Sequence, residues 1–496
     1  MLGAPYFVDL ANTPVYFGGD EAHFAVGAHA IATTGRNLNG DWWPVFFSLA
    51  DPLGGKLQAW GDTWYQPLLY YWMALFVKVL PFTDATARLP VAIVAGLVTP
   101  MFLFLMAWHW LRHGPAALAA TFVVALAPTH VVLGRQALDY VMPIPFVIGW
   151  LWALSFFMQS KGTRPLVVAG FVLGVGCYSY IASWAMMPIY LLITWVLAYR
   201  AGVGLRPIAW SALAFALPVS AGVLWILAHP EMLAQTFTRY GVTEGPTAGV
   251  FATYLSIIKP GVLFLRGGPS LTTSTARSGF ILLPYALLIA AGLWALARRR
   301  DWQSAVIVAG LLTAPLPAAF KGEPGMIQRA MYLLPFLGLL GGLGYALLWD
   351  SRKSIWRAAA VLALVAAPVQ FAYFYYDYFG HYKLRSAFYY DPVAFDVVAV
   401  NLFKEPPAPA YYFTNDVDDA SVKWRYYALK YGRQDVLPLT TYIEPDAHPD
   451  APAGSLLVTY VDGARIKALN EAGWRRVMLN LDVDNRPAAV VLRKLG

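Results

Sequence analysis

The chain has 496 residues, of which 58% are hydrophobic and only 13% charged, against about 25% charged in soluble globular domains; this excludes an ordinary soluble protein and reads as a polytopic membrane protein. The formal net charge is +8, but many of the cations stand in short connections between apolar runs, where they set orientation, so it does not read as nucleic-acid binding. The single Cys177 excludes an internal disulfide and any cysteine-built metal site, and no signal peptide, Walker loop or dinucleotide fingerprint is visible.

The first informative stretch is Tyr16-Phe17-Gly18-Gly19-Asp20-Glu21-Ala22-His23. Two adjacent carboxylates stand there, ahead of a chain that largely avoids acids: between 88 and 379 they are Asp139, Glu231, Glu244, Asp301, Glu323, Asp350 and Asp377. A Gly18-Gly19 pair before the acids allows a close approach of backbone or substrate. The apolar segment 66–82 is short for a span and carries Lys78, so it is expected to lie as an interfacial helix.

Ten spans follow, roughly 89–111, 115–133, 142–158, 165–181, 184–199, 207–228, 279–297, 303–320, 331–349 and 356–378, each near the ~20 residues that cross a bilayer. Every second connection carries cations: Arg112; Lys161 and Arg164; Arg200 and Arg206; Arg298, Arg299 and Arg300; Arg352, Lys353 and Arg357. By the positive-inside rule these are cytoplasmic. The alternate loops, residues 1–87 and the segment after 379 are then outside. An outside N-terminus needs a preceding span, so a first transmembrane helix is expected to be missing from this chain.

After 380 the composition turns mixed. Residues 410–414 and 455–461 read as strands, 419–431 as a helix with Asp418 as N-cap, 464–472 as a second helix, and 476–481 with 488–492 as a hairpin. The expected architecture is an all-α polytopic membrane domain over 88–379, preceded by an outer loop over 1–87 and followed by a small extracytoplasmic α/β domain over 380–496. No internal repeat is visible.

Several residues carry candidate chemistry. Asp20 and Glu21 read either as acids capping a helix that starts near Ala22 or as a general base or metal ligand at the membrane surface. With His23 nearby, Asp20 is the one metal candidate; the sequence requires no metal. Arg135 and Asp139 stand four apart, so a helix would put them on one face, as a surface ion pair or as a functional one. Arg329 reads as a snorkelling cation or as a guanidinium that grips a lipid phosphate. The long outer loop with Lys259 and Arg266 reads as a lid or donor-site loop, or as an ordinary connection.

In order, these pieces resemble the GT-C superfamily of lipid-linked-sugar glycosyltransferases. They are most similar to bacterial members of the dolichyl-phosphate-mannose–protein mannosyltransferase family, and also to aminoarabinose transferases. The likeness rests on Asp20-Glu21, then Gln66-Pro67-Leu68-Leu69-Tyr70-Tyr71, then Arg88-Leu89-Pro90, then Pro128-Thr129-His130 through Arg135 and Asp139, then Arg329 and Tyr332 to Pro335. Gln66 departs from the family's usual His. The resemblance implies a GT-C fold and an inverting transferase that moves a sugar from a polyprenyl phosphate to an acceptor hydroxyl on a protein, lipid or glycan. It places the site on the outer face of the plasma membrane. Asp20, Glu21 and Asp139 would be catalytic, with Asp20 taking the acceptor proton. Arg135, Arg329, Arg266 and Lys259 would hold the donor phosphate. His23, Gln66, Tyr70 and Tyr332 would line the substrate. A transporter would instead place its polar residues near mid-bilayer, with repeats or broken helices, and an assembly scaffold would not need Asp20.

Overall fold

The computed structural model describes residues 3–49, 63–239, 249–322, 325–417 and 419–496. The chain divides into two compact units: one of residues 1–8, 66–69 and 89–379, the other of 9–65, 70–88 and 380–496. Segments far apart in sequence, the first loop and the tail, therefore share one unit.

The first unit is helical. Each expected span falls on a helix. Asp84–Leu111, Asp139–Ser160, Leu205–Ala228, Trp302–Lys321 and Ser354–Phe379 are long and apolar enough to cross a membrane. The remaining spans fall on Gly114–Ala125 with Pro128–Leu133, Thr163–Gly176, Ser183–Arg200, Tyr285–Arg298 and Leu333–Trp349. Pro67–Val77, within the segment expected at the interface, has 11 residues; at ~1.5 Å per residue it is about half the ~30 Å of a hydrocarbon core. The Asp84–Leu111 stretch has 28 residues, about 42 Å long, so its opening turn, with Asp84 and Arg88, can stand clear of the hydrocarbon. Lys259 and Arg266 flank a π-helical turn, Gly261–Arg266, after the helices Glu231–Arg239 and Gly249–Ile258. Glu244 and Glu323 lie outside the described residues.

Leu333–Trp349 is buried along most of its length because glycine lets neighbours touch its backbone. A Cβ on Gly342 would come within 2.6 Å of the Ala116 carbonyl oxygen, and one on Gly344 within 1.8 Å of the Leu288 carbonyl oxygen. Helices on two sides therefore approach to backbone contact.

The second unit holds a small hairpin, β1 (Phe47–Ser48) with β2 (Trp64–Tyr65), and a five-stranded sheet. The sheet strands are β3 (Tyr411–Thr414), β4 (Thr440–Ile443), β5 (Leu456–Tyr460), β6 (Trp474–Leu481) and β7 (Pro487–Lys494), in the order β4-β3-β5-β7-β6. β3 pairs parallel with β4 and β5, and the hairpin β6–β7 closes the sheet antiparallel. Leu457, Leu469, Trp474, Val490 and Leu492 form its core. Expected Asp418 lies outside the described residues; the residue at the N-cap of Ala420–Lys430 is Asp419, in the left-handed region at φ 53°. The sequence reading missed β4 and the helices His381–Tyr390 and Phe395–Phe403. The first loop is stitched to the tail by Tyr16 Oη donating to Asp482 at 2.7 Å, Lys383 to Asp9 at 2.7 Å, Lys430 to Asp84 at 3.0 Å, and Phe17 stacked on Tyr426 at 4.3 Å.

Replacing Gly344 with Val should lower the thermal midpoint in detergent, by an overpacking cost of about 1–3 kcal/mol or more. Gly114→Ala, with open space at its Cβ position, should leave the midpoint unchanged. Equal midpoints for the two variants would refute the close-contact account.

Candidate active site

The two leading acids do not sit in a loop before a helix. The helix spans Gly19–Thr34, so Asp20 and Glu21 occupy its first turn, where a carboxylate interacts favourably with the helix dipole. Their surroundings then separate them. Glu21 is buried and forms a two-pronged ion pair with Arg88: Nε donates to Oε1 at 2.8 Å and Nη2 to Oε2 at 2.9 Å. Oε2 also accepts from the Gly18 backbone N–H at 3.0 Å. Arg88 spends its other donors on the carbonyls of Leu10 (3.2 Å), Pro14 (2.9 Å) and Tyr16 (2.8 Å). A buried pair is tolerable when its hydrogen-bonding capacity is met in this way. The pair fixes the chain entering the helix, and both Glu21 oxygens are engaged there by Arg88 and the Gly18 backbone.

Asp20 is half-buried, and its Oδ1 accepts a hydrogen bond from Tyr65 Oη at 2.7 Å. Tyr65 closes the short hairpin and aims the carboxylate. The glycine before it has a definite partner. A Cβ on Gly19 would lie 1.7 Å from Asp419 Oδ2, so the close approach anticipated from Gly18-Gly19 is made by the tail itself. Burial alone raises the Asp419 carboxyl; the neighbouring His23 and Lys423 outweigh that and hold it below the usual carboxylate range. Lys423 in turn makes a fully buried ion pair with Asp391 at 3.0 Å. His23 is buried, with Nε2 3.8 Å from Asp419 Oδ1. Tyr70 is buried, stacked on Phe47 at 3.8 Å and packed against Phe24 at 4.7 Å. Glu21, Asp20, His23 and Tyr70 thus belong to one compact unit with Arg88, Tyr65 and Asp419.

The other sequence candidates lie in the helical unit. Arg135 and Asp139 do not share a helix face: the Pro128–Leu133 helix ends at Gly134, and Asp139 opens a separate 3-10 turn. Arg135 is buried and donates to the carbonyls of Pro5 (2.7 Å) and Val8 (2.6 Å), with its guanidinium 4.7 Å from the centre of the Phe379 ring. These bonds tie it to the N-terminal segment. Asp139 is 8% exposed. Arg329 sits half-buried on the 3-10 turn Ile327–Ala330, and Lys259 and Arg266 are exposed. Tyr332 is buried and its hydroxyl pairs with Ser183 Oγ at 2.7 Å. Gln66 is buried with neither amide atom hydrogen-bonded among the described residues. Also among the described residues, no three His, Cys, Asp or Glu side chains gather as a metal site. Sequence reasoning quoted Arg88 only as part of a motif and missed Tyr65 and Asp419. Arg88, a lone cation opening an apolar run, was the available signal; nothing local points to Asp419.

The profile of the family described as dolichyl-phosphate-mannose-protein mannosyltransferase matches residues 65–226. No curated protein matches the chain. Among solved structures, ArnT from Cupriavidus metallidurans bound to undecaprenyl phosphate aligns at TM-score 0.65 and 15% identity, over 99% of this chain and 96% of that one. The apo form of the same protein gives 0.63 and 15%, over 99% and 95%. The Archaeoglobus fulgidus oligosaccharyltransferase tethered to an acceptor peptide gives 0.51 and 13%, over 86% of this chain and 62% of that one. The end-to-end match shows that this chain has the fold of these membrane glycosyltransferases, and the family profile over 65–226 falls within the stretch from Asp20-Glu21 to Pro335 that carries the ordered motifs.

Proposed function

We propose that the protein is an inverting glycosyltransferase that moves a sugar from a polyprenyl-phosphate donor to an acceptor hydroxyl. The observation that carries this reading is the contrast within the acidic pair: Glu21 is buried and consumed by Arg88, while Asp20 is aimed by Tyr65 and only half-buried. The acceptor oxygen attacks the anomeric carbon as its proton passes to Asp20. The bond from that carbon to the phosphate oxygen breaks on the opposite face, and the electron pair leaves with the polyprenyl phosphate. A phosphate needs little general-acid help to depart, so one base and a set of cations suffice. For those cations the reading keeps Arg329, Lys259 and Arg266, with Asp139 as an orienting acid, and releases Arg135 to its structural role. The alternation of basic connections along the chain supports an extracytoplasmic site in a plasma membrane.

Asp20→Asn should cut transfer by about 10²-fold or more while leaving the thermal midpoint near wild type. Turnover is read by mass spectrometry in nanodiscs loaded with undecaprenyl-phosphate sugars. Wild-type turnover in this variant sinks the assignment.

Glu21→Gln should behave in the opposite order. It leaves Arg88 as a buried charge without its counter-ion, a loss of about 3–5 kcal/mol, so the thermal midpoint falls first and activity follows from unfolding. A Glu21→Gln protein with unchanged stability and abolished turnover would return Glu21 to the chemistry.

Arg329→Ala should weaken the lipid donor more than the acceptor. A hydrogen bond to a charged group contributes roughly 1.5–3 kcal/mol, so donor KM should rise about 10-fold or more, and Arg329→Lys should recover part of the loss. If only the acceptor KM moves, the residue serves the acceptor; if neither moves, Arg329 only snorkels to lipid.

A further inference from the structure

The second unit contains a half-open cavity that the reaction above leaves unused. It lies along one stripe of the Gly19–Thr34 helix, because Asp20, His23 and Gly27 are spaced i, i+3, i+7. The tail helix Ala420–Lys430 supplies a matching stripe, Asp419 at its N-cap followed by Val422 and Arg425. His23, Gly27, Phe47, Tyr70, Val422 and Arg425 line the space. A Cβ on Gly27 would stand 2.4 Å from the Tyr70 ring, so glycine lets the stacked Phe47–Tyr70 wall close against the helix.

Two polar groups on this cavity have no hydrogen-bond acceptor among the described residues, His23 having only a loose ion pair with Asp419. His23 is only 6% exposed, and its Nε2 has no hydrogen-bond partner among the described residues; Asp419 Oδ1, at 3.8 Å, is beyond hydrogen-bond reach. The Arg425 guanidinium makes no hydrogen bond or ion pair with the described residues. Its helix neighbours Lys423 and Lys430 are both ion-paired, with Asp391 and Asp84. A buried ring nitrogen left without an acceptor is costly unless something supplies one, and the half-buried Arg425 adds a guanidinium fork beside it. The acceptor that matches a guanidinium fork is an oxyanion. The cavity volume, about 20 Å³, exceeds by little the ~10–15 Å³ that one water needs. It admits the oxygens of a substituent and excludes a sugar ring.

The side of the reaction follows from stereochemistry, given the reading of Asp20 as base. Nucleophile and leaving group lie on opposite faces of the anomeric carbon in an inverting displacement, so a group held one helical turn along the Asp20 stripe belongs to the acceptor. We infer that this cavity is an acceptor-side subsite for an oxyanion, a carboxylate or phosphate substituent, held by Arg425 and His23. The tail then takes part in choosing the acceptor.

The test is titration calorimetry on the full chain in nanodiscs, with glucuronate, inorganic phosphate and glucose at one ionic strength. At least one oxyanion should bind and glucose should not; the tighter of the two tells a carboxylate-bearing acceptor from a phosphorylated one. Arg425→Gln should weaken that binding about 10-fold or more. His23→Gln should weaken it several-fold, and the exposed Arg476→Gln should not change it. Asp20→Asn should keep oxyanion affinity within two-fold, so a failure of the transfer reading shows in turnover and a failure of the subsite shows in binding. The inference is overturned if glucose binds as tightly as the oxyanions, or if Arg425→Gln and His23→Gln both bind like wild type.

Discussion

The ion pair between Arg88 and Glu21 is the constraint on which the candidate site rests. It is buried, two-pronged, and completed by three backbone carbonyls from the chain between Leu10 and Tyr16. Removing two charges from water is costly, and the cost is offset only where every donor finds an acceptor. Here that condition also fixes geometry. The segment before the Gly19–Thr34 helix cannot shift without breaking several charge-assisted hydrogen bonds together, so the first helical turn, with Asp20 on it, is held in place. One member of the acidic pair anchors the backbone, and the other, held by Tyr65, is the proposed base.

The same unit shows why the tail cannot be treated as an appendage. Asp419 presses on the backbone at Gly19, where any larger residue would collide with it. Tyr426 hydrogen-bonds Asp84 and Lys430 pairs with it, on the turn that carries Arg88. Tail side chains therefore buttress both ends of the Arg88–Glu21 arrangement. This places the tail's α/β fold around the residues that orient the proposed base, a role that chain position alone would not indicate.

Legibility in the sequence followed the range of the interaction. Apolar runs are local, and each expected span overlaps helix, although 115–133 breaks into Gly114–Ala125 and Pro128–Leu133. The strands Tyr411–Thr414 and Leu456–Tyr460 and the closing hairpin are also local patterns and were readable. The i, i+4 spacing of Arg135 and Asp139 misled because the helix stops at Gly134, a C-cap the spacing argument did not weigh. The difference between Asp20 and Glu21 was not readable at all. It depends on Arg88, 67 residues away, and on Tyr65 across a hairpin. Asp419 and Arg425 lie about four hundred residues beyond the acids, and only the fold brings them to that helix.

The cations illustrate the same point from the donor side. Arg135 was attractive as a phosphate ligand because it is a guanidinium near an acid in an acid-poor chain. In the fold it spends its donors on the carbonyls of Pro5 and Val8 and lies over Phe379. A guanidinium so engaged must surrender those bonds before it can bind a phosphate, and would return little of the gain. Lys259 and Arg266 are exposed at the two ends of a π-helical turn, so a lipid-anchored phosphate can meet them without dismantling the protein. A charge built into the fold stabilises the fold, and a charge kept at a solvent- or lipid-facing position remains available for a substrate. That distinction, read from partners and not from residue type, separates Arg135 from the cations proposed for the donor.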